Sequence, residues 1–412
     1  KFTVGKDRIL DVYLAKYDAI ASKAQANMLA KVGIITEEDN TKLQKALDEI
    51  IARCEKGEFF IDENYEDVHS KIEAELIEKT GDAGKMIHTA RSRNDQVLVA
   101  IQLFLKEYLS ETKSKVLKLI DIMIEKAEIH KDDLMPGYTH FQAAMPSSFG
   151  MWFSAYAENL LSDLYFLDAA YKVADQNPLG SGAGFGTSFP IDRKATTQGS
   201  GFSEMAVSSV GAQMLRGKTE KSTAVAISMI SATLSKLSYD LVMYNSQDMG
   251  FVELPKEMTT GSSIMPHKKN PDVFELTRAH CNRLQALPND ITMTINNLPS
   301  GYHRDFQILK EFLFEPMEQF NNILDILIFA ITQLKIKTDF MNQSKYDSIY
   351  TVENINHLLQ TGTSFRDAYR IVGIEVDEGT YTPHKEFKTT HLGSIHNLGL
   401  DEIKDKVNRY KK

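Results

Sequence analysis

Four short polar segments hold most of the residues that can do chemistry. The first is Gly261-Ser-Ser-Ile-Met-Pro-His-Lys-Lys-Asn-Pro271, where two hydroxyls and two lysines sit on a stretch that Gly and two prolines keep out of a helix. Asn270-Pro271-Asp272 behind it reads as a helix start: Asn as cap, Pro in the first turn, Asp at the positive dipole end. A capped helix explains Asn270 and Pro271, but leaves Ser262, Ser263, Lys268 and Lys269 without a reason. The second segment is Thr139-His-Phe-Gln142, where Pro136-Gly137 reads as a turn presenting His140 on a loop or helix start. A lone His is either a satisfied structural group or a proton carrier near neutral pH. The third, His88-Thr-Ala-Arg-Ser-Arg-Asn-Asp-Gln96, packs Arg91, Ser92, Arg93, Asn94 and Asp95 together. It reads equally as a solvated helix N-terminus with internal ion pairs and as a carboxylate-binding corner, because arginine forks match carboxylates. The fourth, Tyr302-His-Arg-Asp-Phe-Gln-Ile-Leu-Lys310, follows the turn at Leu298-Pro-Ser-Gly301 and either lines a site or wets a helix face.

Other chemistries lack their residues. There is no His-Glu-x-x-His and no other zinc spacing, so no metal is expected. Gly180-Ser-Gly-Ala-Gly-Phe-Gly186 lacks both the dinucleotide spacing and a preceding strand, and reads as a tight turn or a source of backbone N–H donors. There is no Walker A run and no Gly-x-Ser-x-Gly elbow. A cofactor-free enzyme working with side chains and backbone dipoles is what remains.

The elements that must position these segments are helices. The 11 prolines leave two long gaps, before Pro136 and from Pro190 to Pro255, where long helices can run. Leu109, Val116, Ile120, Met123 and Ala127 fall on one helical face, with Lys113, Lys115, Lys118 and Lys126 elsewhere. Ser222 to Gln247 carries the stripe Ile227, Ile230, Leu234, Leu237 and Leu241, and Asn322 to Ile336 is apolar nearly all round. No alternating strand run and no repeat stands out. The expected fold is all-α with three domains: a small helical domain over 1–87, a central long-helix bundle over 88–340, and a small helical domain over 341–412.

Composition bounds the partners. The 412 residues are 42% hydrophobic and 25% charged, which supports a large core, and the formal charge is −9. That sign disfavours nucleic acid and a polybasic membrane surface, so local cations must hold any anionic substrate. No stretch reads as a membrane span; the best, Ile323 to Leu334, is short and carries Asp325. No basic-then-apolar leader opens the chain, which starts with Lys rather than Met. Cys54 and Cys281 are far apart without metal-ligand spacing, so a reducing compartment, the cytoplasm, is expected.

The run at 261–271 resembles the fumarase/aspartase superfamily, whose members eliminate fumarate from a succinyl compound. Within it, His88 to Gln96, Met135-Pro-Gly-Tyr-Thr-His-Phe-Gln142 and Pro178 to Arg193 resemble the argininosuccinate lyases, as do Glu66-Asp-Val-His69 and Phe251-Val-Glu-Leu-Pro255. The resemblance implies Ser262 as general base and His140 as general acid, oriented by Glu275. It implies that Lys268 and Asn270 hold the succinyl carboxylate. Ser92, Arg93, Asn94 and Thr139 would bind substrate, and Tyr302, Gln307 and Lys310 the arginine portion. It further implies a homotetramer with each site built from three subunits. The Gly and polar content of 261–271, with little apolar anchoring, reads as a loop that closes over substrate. The chain departs from the family in three places. A Trp-Gly-Gly-Arg-Phe segment is missing near the N-terminus. Val210 to Lys218 stands where Ser-x-Arg-Asp-Phe is usual, with Arg216 as a candidate substitute. Ala90 and His267 replace the usual Gly and Gln. Two other readings stay open: another lyase of the superfamily, acting on adenylosuccinate, aspartate or malate, and an inactive crystallin-like structural protein.

Overall fold

The computed structural model describes residues 4–411; the start of the chain, Lys1 to Thr3, lies outside the described residues. The chain is all-α. After α1 (Ala15–Lys31), α2 (Glu37–Glu55) and α3 (Val68–Thr80) comes α4, a 37-residue helix over Arg93–Ile129. A hairpin of β1 (Leu134–Thr139) and β2 (Gln142–Ser148) leads into α5 (Phe149–Ala174). Then follow α6 (Lys218–Tyr244), α7 (Asp272–Leu284) and α8 (Leu309–Gln333), and after short helices α9 (Leu400–Lys411).

The helical stripes expected from spacing are the buried ones. Leu109, Val116, Ile120, Met123 and Ala127 are fully buried on α4, and Ile227, Ile230, Leu234, Leu237 and Leu241 on α6. The apolar stretch at 322–336 begins earlier and ends sooner than its composition suggests. Helix α8 starts at Leu309, carries Pro316 inside it, and stops at Gln333. Lys335–Ile336 then pairs antiparallel with Val252–Glu253.

Contacts divide the chain into two compact units. Unit 1 comprises Lys1–Ser114, Leu164–Ser231 and Asn282–Asn321; unit 2 comprises Lys115–Asp163, Ala232–Cys281 and Asn322–Lys412. Each of the four long helices contributes residues to both. Inside unit 1, the Tyr108 hydroxyl of α4 donates to the Met317 carbonyl of α8 at 3.1 Å, and Lys113 pairs with Asp168 of α5 at 3.0 Å. Inside unit 2, Trp152 Nε1 and the Tyr156 hydroxyl of α5 both donate to Asp240 of α6, at 2.9 and 2.7 Å. Thr233 of α6 donates to Asp163 of α5 at 2.6 Å. These polar ties fix the rotation of helices whose apolar stripes would pack in several ways.

One expectation needs correction. By length and composition, α6 is long and apolar enough to cross a membrane, which contradicts the reading that no stretch is. Its Ser and Thr residues dilute the hydropathy of the sequence, yet they leave few charges in the helix. Strands are also present. The hairpin pairs Leu134 with Ser148 through Thr139 with Gln142, with a register shift at Gly137/Tyr138. Its strands do not alternate in polarity, so the period-2 signal is missing.

Candidate active site

In unit 1, a capping box builds the start of α4. Asn94 N–H donates to Ser92 Oγ at 3.3 Å, and Ser92 N–H donates to Asp95 Oδ1 at 2.8 Å. The second oxygen of buried Asp95 accepts from Gly180 N–H and Gly182 N–H at 3.0 and 2.9 Å. The glycine-rich stretch is therefore the donor-bearing turn its composition suggests. Both glycines hold positive φ, 88° and 60°, and a Cβ on Gly180 would meet Arg193 Cγ at 2.8 Å. Burial pushes the Asp95 carboxyl above its ordinary range, opposed by the three backbone donors and Arg91. Asp95 is the residue that sequence reading left without a role; the Ser-x-x-Asp spacing was its signal.

Arg93, Asn94, Tyr302, Gln307 and Lys310 line one cavity of about 370 Å³, so five of the expected substrate-binding residues come together. Ser92 sits beside it as the helix cap. Lys310 is buried and paired with both Asp7 (2.5 Å) and Asp11. Burial raises the Asp7 carboxyl above its usual range even though Lys310 opposes this. Gln307 Nε2 donates to the Val4 carbonyl at 3.1 Å. Arg216 also lines the cavity, but it is buried, paired with Glu220 at 2.9 Å, and donates to the Phe306 carbonyl at 3.1 Å. Its charge is thus committed, which limits it as a replacement for the missing Ser-x-Arg-Asp-Phe arginine.

Unit 2 carries the proton-transfer candidates. Pro136-Gly137 is not the turn that presents His140; it lies inside β1, and the turn is His140-Phe141 itself. Both residues hold left-handed φ, 54° and 59°. Two-residue hairpin turns of this hand normally take Asn-Gly, and each Cβ there costs on the order of 1–2 kcal/mol. The Phe141 ring lies 6.4 Å from Tyr239 of α6, whose face carries the Arg278 guanidinium at 5.5 Å. This packing holds the strained tip, while Thr139 and His140 stay exposed. Strain concentrated at an exposed imidazole is a mark of function.

The 261–271 loop is clamped at its neck. Asn270 N–H donates to the Thr260 carbonyl at 2.8 Å, and Thr260 N–H donates to Asp272 at 3.1 Å. Helix α7 accordingly starts one residue later than expected: the Pro271 carbonyl accepts from Phe274 N–H at 3.0 Å, and Asn270 belongs to the clamp. Within the loop, Ser262 Oγ accepts from Ile264 N–H at 3.4 Å and Met265 N–H at 3.2 Å. Two backbone donors on one hydroxyl oxygen favour its alkoxide form. Lys268 is exposed, and Ile264 at the tip is 84% exposed. Glu275 lies exposed in the first turn of α7, and among the described residues no hydrogen bond joins it to His140.

Comparison with known proteins places this geometry. The lyase family model matches residues 3–286. Argininosuccinate lyases of Bacteroides fragilis (strain YCH46) and Phocaeicola vulgatus are 49% and 50% identical to this chain, each over 98% of it and 90% of the relative. That of Thermotoga neapolitana is 39% identical over 90% of this chain and 94% of its own length. Among solved structures, an EDDS lyase in complex with formate superposes with TM-score 0.77 at 21% identity, covering 98% of this chain and 86% of that one. A fumarate lyase:delta crystallin from Brucella melitensis bound to cobalt gives 0.76 at 18% identity, over 98% and 92%. The family match and these relatives put the chain in the fumarase/aspartase class of lyases. Within that class, the chain belongs to the argininosuccinate lyase family.

Proposed function

We propose that the chain cleaves argininosuccinate reversibly into arginine and fumarate, by general acid–base elimination, in arginine biosynthesis. The observation that carries this reading is near-half identity to argininosuccinate lyases across 98% of the chain. The base removes a proton from the carbon beside a succinyl carboxylate, and the electron pair moves into that carboxylate. The resulting aci-carboxylate bears almost two negative charges, so the site must present fixed positive potential there. As the pair returns, the adjacent C–N bond breaks, and the guanidino nitrogen leaves with a proton from the acid.

Ser262 takes the role of base, supported by its two backbone donors and by Lys268 on the same loop. His140 takes the role of acid, supported by its presentation on a strained, exposed turn. Glu275 orients that imidazole once the site is assembled. Lys268 and Asn270 hold the succinyl carboxylate. Ser92, Arg93, Asn94 and Thr139 bind substrate, and Tyr302, Gln307 and Lys310 meet the arginine portion. The loop closes from its Thr260–Asn270 neck and excludes water. The enzyme works in the cytoplasm as a homotetramer in which neighbouring copies complete each site. In support, the candidates divide between two compact units, and Cys54 and Cys281 are free thiols. The three-domain division at 87 and 340 belongs to the same reading, supported by the four longest helices all falling between those positions.

The test supplies argininosuccinate, adenylosuccinate, aspartate and malate in turn, following fumarate by absorbance and arginine by chromatography. Fumarate and arginine should appear in equal amounts from argininosuccinate alone. Release from another substrate would move the chain to a different branch. No turnover from a folded protein would favour the structural, crystallin-like reading.

A further inference from the structure

The cavity of unit 1 contains an imidazole to which nothing above gives a task. His69, in the first turn of α3, is 1% exposed and lines the cavity. Its Nδ1 lies 3.0 Å from Asp18 Oδ2. Asp18 is fully buried, and both of its oxygens also accept from Gln96 Nε2, at 3.0 and 3.2 Å. Burial alone would raise the Asp18 carboxyl, but His69, Arg91 and Gln96 hold it below its ordinary value. An ionised carboxylate only accepts, so in a ring with one proton that proton sits on Nδ1 and Nε2 presents its lone pair. Among the described residues, Nε2 has no hydrogen-bond partner and no contact with solvent. A buried polar atom left this way destabilises the fold unless a ligand meets it.

A second unmatched atom shares the cavity. Arg93 Nη1 is buried without a hydrogen-bond partner among the described residues; Asp67 lies 3.9 Å from it, and Glu73 lies 3.6 Å from the other terminal nitrogen. One site thus offers an unfilled acceptor and an unfilled donor. Its walls are mixed in sign, with Asp7, Asp11, Glu66 and Asp67 alongside Arg93, Arg216, Arg304 and Lys310. A dicarboxylate has no use for the acceptor. The ammonium and carboxylate of an α-amino acid satisfy both groups.

We propose that His69 is a substrate-binding residue whose Nε2 accepts from the α-ammonium of the arginine portion, with Arg93 Nη1 on the neighbouring carboxylate and Asp18 as the positioning residue that sets the tautomer. This deepens the cleavage reading and rests on it. The test runs the full-length enzyme in both directions. His69→Phe removes the acceptor, and Asp18→Asn donates to Nδ1 and drives the ring proton onto Nε2. Each should raise KM for arginine about tenfold or more, with KM for fumarate within about twofold. His69→Gln, which restores an acceptor oxygen, should recover most of the loss. In parallel, the wild type should bind arginine about tenfold tighter than the analogue lacking the α-amino group, and folded His69→Phe should lose that preference. Unchanged arginine KM in folded His69→Phe, or an equal rise for fumarate, overturns the proposal. If the variants do not fold, equal binding of arginine and the deaminated analogue by the wild type overturns it. Absence of argininosuccinate cleavage by the wild type overturns only the parent reading, and the same arms are then read as arginine binding by calorimetry.

Discussion

The cavity of unit 1 and the hairpin and loop of unit 2 are built on opposite principles. In the cavity, charged groups are paired before any ligand arrives: Lys310 lies between Asp7 and Asp11, and Arg216 faces Glu220; at the start of α4, Asp95 pins two glycine N–H groups. In unit 2 the groups suited to proton transfer are exposed, as at His140 and Lys268, or held only by local backbone, as at Ser262. Binding selectivity benefits from groups whose desolvation is already complete. Proton transfer needs groups that meet the substrate from opposite sides, and such groups are completed by closure. The contrast teaches that stability and chemistry are separated along this chain: a substitution in the cavity should be felt in folding, one on the loop mainly in turnover.

Three measurements can break or sharpen that contrast. The largest effect is expected from Ser262→Ala, which should lower turnover by about 10²–10⁴-fold in the fumarate assay with an unchanged melting temperature. Near-normal turnover would remove the loop from the chemistry and leave His140 as the base. Lys310→Met comes next. It leaves the buried Asp11 and the half-buried Asp7 uncompensated, and should cost about 3–5 kcal/mol in denaturant unfolding. The exposed Lys268→Met should stay within about 0.5 kcal/mol of wild type in the same experiment. Equal losses for the two lysines would erase the distinction between the regions. The smallest effect belongs to Ala90, which holds a left-handed φ of 61° just before the capping box. Ala90→Gly relieves that strain and should raise stability by about 1 kcal/mol. No gain would mean that the strain is absorbed by its neighbours.

Much of this was legible in the residues. The stripes on α4 and α6 announced long helices, because a 3.6-residue period is a property of a single helix face. The arginine-rich segment and the Gly/Pro-bounded loop announced themselves by composition. The hairpin did not: Leu134-Met-Pro-Gly-Tyr-Thr has no alternation, and its strand character comes from pairing with Gln142–Ser148 across a register shift. Asn270 was read as a helix cap, yet its backbone closes the loop neck on Thr260, ten residues away.

Asp18 and His69 lie 51 positions apart, and Asp11 and Lys310 lie 299 apart. No spacing rule connects such pairs. The amino-acid sequence alone determined which stretches become helices, where they break, and which side chains are chemically capable. Tertiary structure decided which of those side chains are neutralised and which are left unmatched beside a cavity. Helix formation and capping depend on neighbours a few residues away, whereas an ion pair or an orphaned imidazole depends on which distant segments the packed core brings into contact.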